Sequence, residues 1–136
     1  MGGEIFIDTS GFYALLVAGD SGHSTAKKIM AAAAEKRQRF VTTDYIIDET
    51  ATLLMARSHL TAVPALLNSL STSSACRIVW MDTERFEKTK RFFVKNIAQG
   101  FSFTDCFSFV VMRELRLRET LSKDAHFRAA GFMPLL

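Results

Sequence analysis

The chain has 136 residues, of which 49% are apolar and 23% are charged. This length is close to the commonest domain size, and the composition is that of a globular protein rather than a disordered one, so we expect a single domain over residues 1–136. A net charge of +3 permits nucleic-acid binding without requiring it.

Several classes of protein are disfavoured at once. Cys76 and Cys106 provide neither a disulfide framework nor a metal-binding spacing, which suits a reducing cytosol. The first residues lack a basic segment followed by an apolar one, and no apolar run approaches the roughly 20 residues of a membrane span. We therefore expect a cytoplasmic protein that does not contact the membrane. No phosphate-binding loop or dinucleotide-binding glycine motif is present, so nucleotide-fuelled chemistry has little support.

The first readable element is the segment Ile5-Phe6-Ile7-Asp8-Thr9-Ser10-Gly11. It predicts a buried strand, followed by a helix start that carries an acid. Ligands of parallel sheets bind outside the carboxyl ends of the strands, and Asp8 is expected to lie there.

The remaining elements alternate along the chain. Short apolar runs predict further strands at 40–42, 77–81, 119–124 and 132–136. Apolar residues at helical spacing predict helices at 10–17, 23–35, 43–57, 60–70, 83–96 and 106–117, with a helical turn at 124–128. In the helix at 83–96 and just beyond it, Phe86, Phe93 and Ile97 are expected to face inward. The alternation predicts a parallel sheet with helices on both faces, and right-handed crossovers place all strand carboxyl ends at one edge.

Glu49 is the acid of the helix at 43–57, for which Thr43 and Asp44 are the candidate N-caps. Its spacing from Ile46 and Leu53 places it on the apolar face. A carboxylate there is costly unless it is paired or coordinates a metal. The alternative is a glutamate at the edge of the stripe that pairs with an arginine, and spacing alone does not separate the two.

Asp105 and Asp124 complete the set of candidate acids. Asp105 falls in the first turn of a strongly apolar helix capped by Ser102 or Thr104. The helix dipole favours an acid there, but an unpaired charge at the head of an apolar helix is expensive. Asp124 ends a predicted strand, as Asp8 does. All four acids are therefore expected to converge on one edge of the sheet.

Several carboxylates gathered without matching lysines or arginines require a cation. Oxygen ligands select Mg²⁺ or Mn²⁺ over zinc, and Mg²⁺ sites commonly bind substrate phosphates. Such a site activates water and stabilises an in-line displacement at phosphorus, with one metal or two. The acids therefore predict phosphodiester hydrolysis.

Four segments together resemble a PIN domain, and most closely the VapC-like ribonuclease toxins. They are Ile7-Asp8-Thr9-Ser10, the lone Glu49, Ser102-Phe103-Thr104-Asp105, and Ser122-Lys123-Asp124-Ala125-His126-Phe127 followed by Ala130-Gly131-Phe132. The resemblance covers essentially the whole chain. It implies an α/β/α sandwich with a mostly parallel sheet of about five strands. It also implies a Mg²⁺- or Mn²⁺-dependent endoribonuclease that is the toxin of a type II toxin–antitoxin pair.

The resemblance also implies roles for individual residues. The acidic quartet of the family matches Asp8, Glu49, Asp105 and Asp124. Asp8 and Asp105 would be the most direct metal ligands, and Asp124 would complete the metal site. Glu49, with Asp124, would orient the attacking water. Thr9 and Thr104 match hydroxyl positions that support the carboxylates by hydrogen bonds.

One position departs from the family pattern. Some relatives carry a further acid where this chain has His126, which leaves the number of metal ions open. His126 could contact the scissile phosphate, but a histidine beside Phe127 in a short turn is more often structural.

Partners follow from the same resemblance. Such proteins commonly dimerise and are neutralised by a small antitoxin, and apolar residues in the segment 60–70 are the candidate dimer surface. Plausible contacts to RNA phosphates are Lys27, Lys28, Arg57, Lys88, Arg91 and Arg113. Two alternatives are a PIN nuclease of RNA processing or decay, and a catalytically silent PIN module that binds RNA or protein.

Overall fold

The computed structural model describes residues 3–136. Its strands are β1 (Ile5–Ile7), β2 (Phe40–Thr43), β3 (Cys76–Val79), β4 (Glu119–Leu121) and β5 (Met133–Pro134). Its α-helices are α1 (Thr9–Leu16), α2 (His23–Glu35), α3 (Asp44–Ala56), α4 (Ala62–Thr72), α5 (Thr83–Lys95), α6 (Phe103–Glu114) and α7 (Ala125–Ala129). A 3₁₀ turn at Ile97–Gln99 follows α5.

The strands form one sheet in the order β3-β2-β1-β4-β5, and every neighbouring pair is parallel. The predicted α/β architecture is confirmed: helices pack on the sheet, and all strands point the same way. The central strand β1 is buried along its whole length, as expected of a strand covered on both faces. Pro134 is tolerated because β5 is an edge strand.

A cluster of phenylalanines packs α6 against α7. The Phe109 ring of α6 lies 5.0 Å from both Phe101 and Phe127, and stacks on Phe132 at 5.7 Å. Phe109 and Phe127 are fully buried. Aromatic pairs at these distances add to the stability that burial of the rings provides. The cluster therefore holds the amino-terminal ends of α6 and α7 in a fixed relation to each other.

Gly11 brings the start of α1 against the end of β4. A Cβ atom at this position would lie 2.0 Å from the carbonyl oxygen of Leu121, a distance that no side chain tolerates. Glycine is therefore required for close approach rather than for a special backbone angle. This contact places the loop after β4 directly beside Asp8.

Several predictions about element ends and faces are wrong. The strand predicted at 77–81 ends at Val79, and the strand predicted at 132–136 covers only Met133–Pro134. The strand predicted at 119–124 ends at Leu121, because Ser122 and Asp124 use their side chains in the following turn. Phe86 and Ile97 do not face inward; their exposed fractions are 41% and 67%. The inward face of α5 runs through the fully buried Thr89 instead, and the helix ends before Ile97.

Between residues 3 and 136, none of the helices has the length and apolar character needed to cross a membrane.

Candidate active site

The four predicted acids line one cavity of about 300 Å³ at the carboxyl edge of the sheet. Asp8 follows β1 and is the N-cap of α1, and Asp124 is the N-cap of α7. Asp105 lies in the first turn of α6, and Glu49 lies in the second turn of α3. The structure thus brings together residues that lie far apart in the sequence, from position 8 to position 124.

Asp8 is the buried acid of the cavity, with 5% of its surface exposed. Its Oδ1 accepts hydrogen bonds from the Gly11 backbone N–H at 3.0 Å and the Ser10 hydroxyl at 2.9 Å. Its Oδ2 accepts one from the Ser122 hydroxyl at 2.9 Å. Burial raises the pKa of Asp8 to about 6, because these three donors only partly offset desolvation and the charge of Asp124 opposes ionisation. A cation beside Asp8 would favour its charged form.

Asp105 and Asp124 meet at the imidazole of His126. The His126 Nδ1 atom lies 2.9 Å from Asp105 Oδ2 and 3.6 Å from Asp124 Oδ1. One ligand atom from each of the three residues lies within 4.8 Å of the others. Asp105 also forms a capping box with Ser102, which fixes the carboxylate relative to α6. The His126 ring packs edge-on against Phe101 at 5.3 Å, so it makes both a structural contact and a contact with two predicted ligands.

Glu49 does not lie on the buried face of α3 as predicted. It is exposed, and the face that packs on the core is formed by Ile46, Thr50 and Leu54. Helical spacing identifies residues on one stripe but does not show where the stripe leaves the core. Glu49 lies at the open mouth of the cavity, where the Thr9 hydroxyl donates a short hydrogen bond to Oε1.

The two acids near Glu49, Asp44 and Asp48, do not line the acidic cavity. Thr43 is the N-cap of α3, and its hydroxyl accepts a hydrogen bond from the Ile46 N–H at 3.1 Å. Asp44, predicted as a cap, is instead the first helical residue. Its carboxylate accepts a hydrogen bond from the Met81 N–H at 3.0 Å and so ties α3 to the loop after β3. Asp48 is exposed and does not line the acidic cavity.

The two predicted supporting threonines differ. Thr9 bonds to Glu49, whereas Thr104 lines a neighbouring cavity with Glu49; within residues 3–136 its hydroxyl bonds to no acid of the quartet. Ser10 and Ser122, which the sequence analysis missed, support Asp8 instead. Their spacing in the sequence could have identified them, because each serine lies two residues from an acid, after Asp8 and before Asp124.

The charge and donor atoms of the cavity suit a divalent cation. Two basic side chains reach the cavity, Arg57 and Lys123, and Lys123 pairs with Asp20. The four clustered carboxylates therefore exceed the nearby positive charge. Their oxygen atoms, with one imidazole nitrogen beside Asp105 and Asp124, are donors that Mg²⁺ and Mn²⁺ accept. The residues present fit such an ion.

Comparison with known proteins gives the family. The family model described as "PIN domain" matches residues 5–133. This chain belongs to the PIN domain family. Its relatives include a Mycobacterium tuberculosis protein named "23S rRNA-specific endonuclease VapC20", 38% identical over 130 residues and covering 95% of each chain. An Archaeoglobus fulgidus protein named "VapC ribonuclease" is 34% identical over 125 residues, which are 89% of this chain and 77% of that protein.

Solved structures agree with this assignment. The crystal structure of M. tuberculosis VapC20, described as a "Sarcin-Ricin loop cleaving toxin", superposes with a TM-score of 0.85 and 32% identity over 96% of this PIN domain and 97% of that chain. PAE2754 from Pyrobaculum aerophilum superposes with a TM-score of 0.64 at 19% identity, covering 99% and 92% of the two chains. The second likeness concerns the fold alone.

Proposed function

We propose that this PIN domain is a metal-dependent endoribonuclease and the toxin of a type II toxin–antitoxin pair. The observation that carries the proposal is the convergence of Asp8, Glu49, Asp105 and Asp124 on one cavity. Homology to the VapC ribonucleases over most of the chain supports the reaction class. We further propose 23S ribosomal RNA as the substrate, since the relative with 38% identity is named for that activity.

In this proposal Asp8, Asp105 and Asp124 would hold the ion. Mg²⁺ or Mn²⁺ would supply positive charge for the phosphate and would lower the pKa of water. Asp8 contributes a carboxylate whose orientation is fixed by three hydrogen-bond donors. Asp105 contributes one fixed by its capping box. Preorganised ligands of this kind need no rearrangement when the substrate arrives.

Glu49 is proposed to orient the attacking water and accept its proton. Its Oε1 is occupied by the Thr9 hydroxyl, which leaves Oε2 for water. Its place at the mouth of the cavity gives it access to solvent. Removing a general base typically lowers the rate by about 10²–10⁴-fold.

The neighbouring acids allow a matched test of this role. Labelled RNA carrying the sarcin–ricin loop is incubated with Mg²⁺ and the native chain, Glu49→Gln or Asp48→Asn. Glu49→Gln should cut at least about 100-fold more slowly, whereas Asp48→Asn, at a neighbouring exposed acid that does not line the acidic cavity, should cut at the native rate. Equal rates for Glu49→Gln and the native chain would contradict the assigned role.

We also propose that the protein acts in the cytoplasm as a homodimer and is neutralised by a small antitoxin. Leu60 and Leu67, at the start and middle of the candidate dimer surface, are 56% and 44% exposed. Light scattering should show a dimer that Leu67→Glu converts to a monomer. Val94→Glu, at an apolar position on α5 that is 61% exposed, should leave the dimer intact. A native monomer would refute this part of the proposal.

A further inference from the structure

A second cavity adjoins the acidic one on the side of α1. It has a volume of about 390 Å³. It is lined by Tyr13, Val17, Arg57, His59 and the loop 19–21, which includes Asp20. Tyr13, Asp20 and Arg57 border both cavities, so the two lie side by side. A polymer bound across the acids would extend into this side cavity.

The aromatic wall of the side cavity is preorganised. The Tyr13 hydroxyl lies 3.0 Å from His59 Nε2, and the two rings meet edge to face at 5.6 Å. The Arg57 guanidinium lies over the Tyr13 ring, 5.0 Å from its centroid. Each of the three side chains therefore restrains another, although Tyr13 and His59 are only partly buried.

The opposite wall is also held in place. Asp20 N–H donates to the Val17 carbonyl at 3.0 Å, and the imidazole of His23 bonds to the Ala14 carbonyl at 2.8 Å. Asp20 pairs with Lys123, so its charge is largely compensated. A Cβ atom at Gly19 would have no neighbour within 4 Å, which leaves the entrance open.

We propose that the side cavity binds one unpaired nucleobase of the RNA, adjacent to the phosphate that is cut. Tyr13 and His59 offer aromatic surface, and Arg57 offers a cation where the side cavity opens toward the acids. Proteins that read RNA stack unpaired bases on aromatic rings and guanidinium planes, and bind the adjoining phosphates with basic side chains. The proposal deepens the proposed function, because it assigns a substrate contact to the same site.

Binding without cleavage tests the subsite on its own. Short single-stranded RNAs of different base composition are titrated with the full chain in EDTA, and fluorescence anisotropy reports the Kd. Tyr13→Leu keeps an apolar side chain but removes the ring, and should weaken binding roughly 5- to 150-fold, the usual effect of losing one stacked base. Tyr13→Phe keeps the ring and loses only the bond to His59, so it should bind nearly as the native chain does.

The chain supplies a control arginine for Arg57. Arg118 is exposed directly before β4, at the edge of the sheet opposite to the acids, and borders neither cavity. Arg57→Gln should weaken RNA binding, whereas Arg118→Gln should not. Circular dichroism and unfolding curves establish that each variant is folded.

An abasic scan identifies the base. For the native chain, replacing the nucleotide at one position of the RNA by an abasic one should weaken binding strongly. Tyr13→Leu should bind this abasic RNA no more weakly than it binds the intact RNA. The proposal would be overturned if Tyr13→Leu bound RNA with native affinity, or if Tyr13→Leu and Tyr13→Phe lost equal affinity. It would also be overturned if an abasic nucleotide at every position weakened binding in addition to the effect of Tyr13→Leu. These outcomes are separable from failure of the proposed function, since binding is measured in EDTA and cleavage is scored only in the Glu49→Gln assay.

Discussion

The burial of Asp8 should make the metal-free protein less stable as the pH rises. Its pKa is raised from the usual 3.8 to about 6 in the folded chain, so the folded state holds the proton more tightly than the unfolded state. The contribution of Asp8 to stability is therefore greatest below pH 4, falls between about pH 4 and 6, and is level above that range. The difference between the folded and unfolded pKa values of Asp8 corresponds to about 3 kcal/mol in the free energy of unfolding, because one pKa unit is worth about 1.4 kcal/mol.

Asp8→Asn isolates this contribution. The amide oxygen still accepts from Gly11 and Ser10, and the amide N–H₂ donates to the Ser122 hydroxyl in place of accepting from it. In EDTA, the native chain and the variant should have similar free energies of unfolding at pH 4. At pH 8 the variant should be more stable by up to about 3 kcal/mol.

Denaturant unfolding at several pH values measures the difference. Asp48→Asn, at an exposed position on α3, is the control and should follow the native curve. Adding Mg²⁺ at pH 8 should stabilise the native chain and narrow its gap to Asp8→Asn, because the ion binds the charged carboxylate. The reasoning fails if the native chain and Asp8→Asn keep a constant difference from pH 4 to pH 8, or if the variant is the less stable at pH 8.

Two further predictions concern the packing that positions the acids. Gly11→Ala should lower the free energy of unfolding, measured by denaturant titration, by about 3 kcal/mol or more, because the added Cβ would overlap the Leu121 carbonyl. Gly19→Ala should have little effect in the same titration, because the space around Gly19 is open. Phe109→Ala should lower the free energy of unfolding by about 3–5 kcal/mol, because the ring is fully buried among other aromatic rings. Phe86→Ala, at a position that is 41% exposed, should lower it much less, and thermal unfolding measures both variants. Equal losses at the paired positions would contradict the packing described.

Local patterns predicted the fold and the acids that line one cavity. A short apolar run followed by an acid identified β1 and Asp8, and a capped apolar helix identified Asp105. Once the strands are known to be parallel, their carboxyl ends must share an edge. The convergence of the acids on one cavity therefore followed from topology, without knowledge of side-chain positions.

Contacts between distant residues could not be predicted in this way. The bond between His126 and Asp105 spans 21 positions, and the bond between Tyr13 and His59 spans 46. Both depend on how neighbouring helices are rotated. The exposure of Glu49 could not be predicted either. Periodicity shows which residues of α3 share one face, but it does not show which residues of that face are covered by the core.

The most direct test of the central claim is metal-dependent cleavage by the native chain and Asp8→Asn. Labelled 23S ribosomal RNA is incubated with each protein in Mg²⁺, in Mn²⁺ and in EDTA, after unfolding curves have shown that both proteins are folded. The account predicts cutting by the native chain in either metal, none in EDTA, and none by Asp8→Asn under any condition. Cutting in EDTA, or cutting by Asp8→Asn at the native rate, would contradict a metal site built on Asp8.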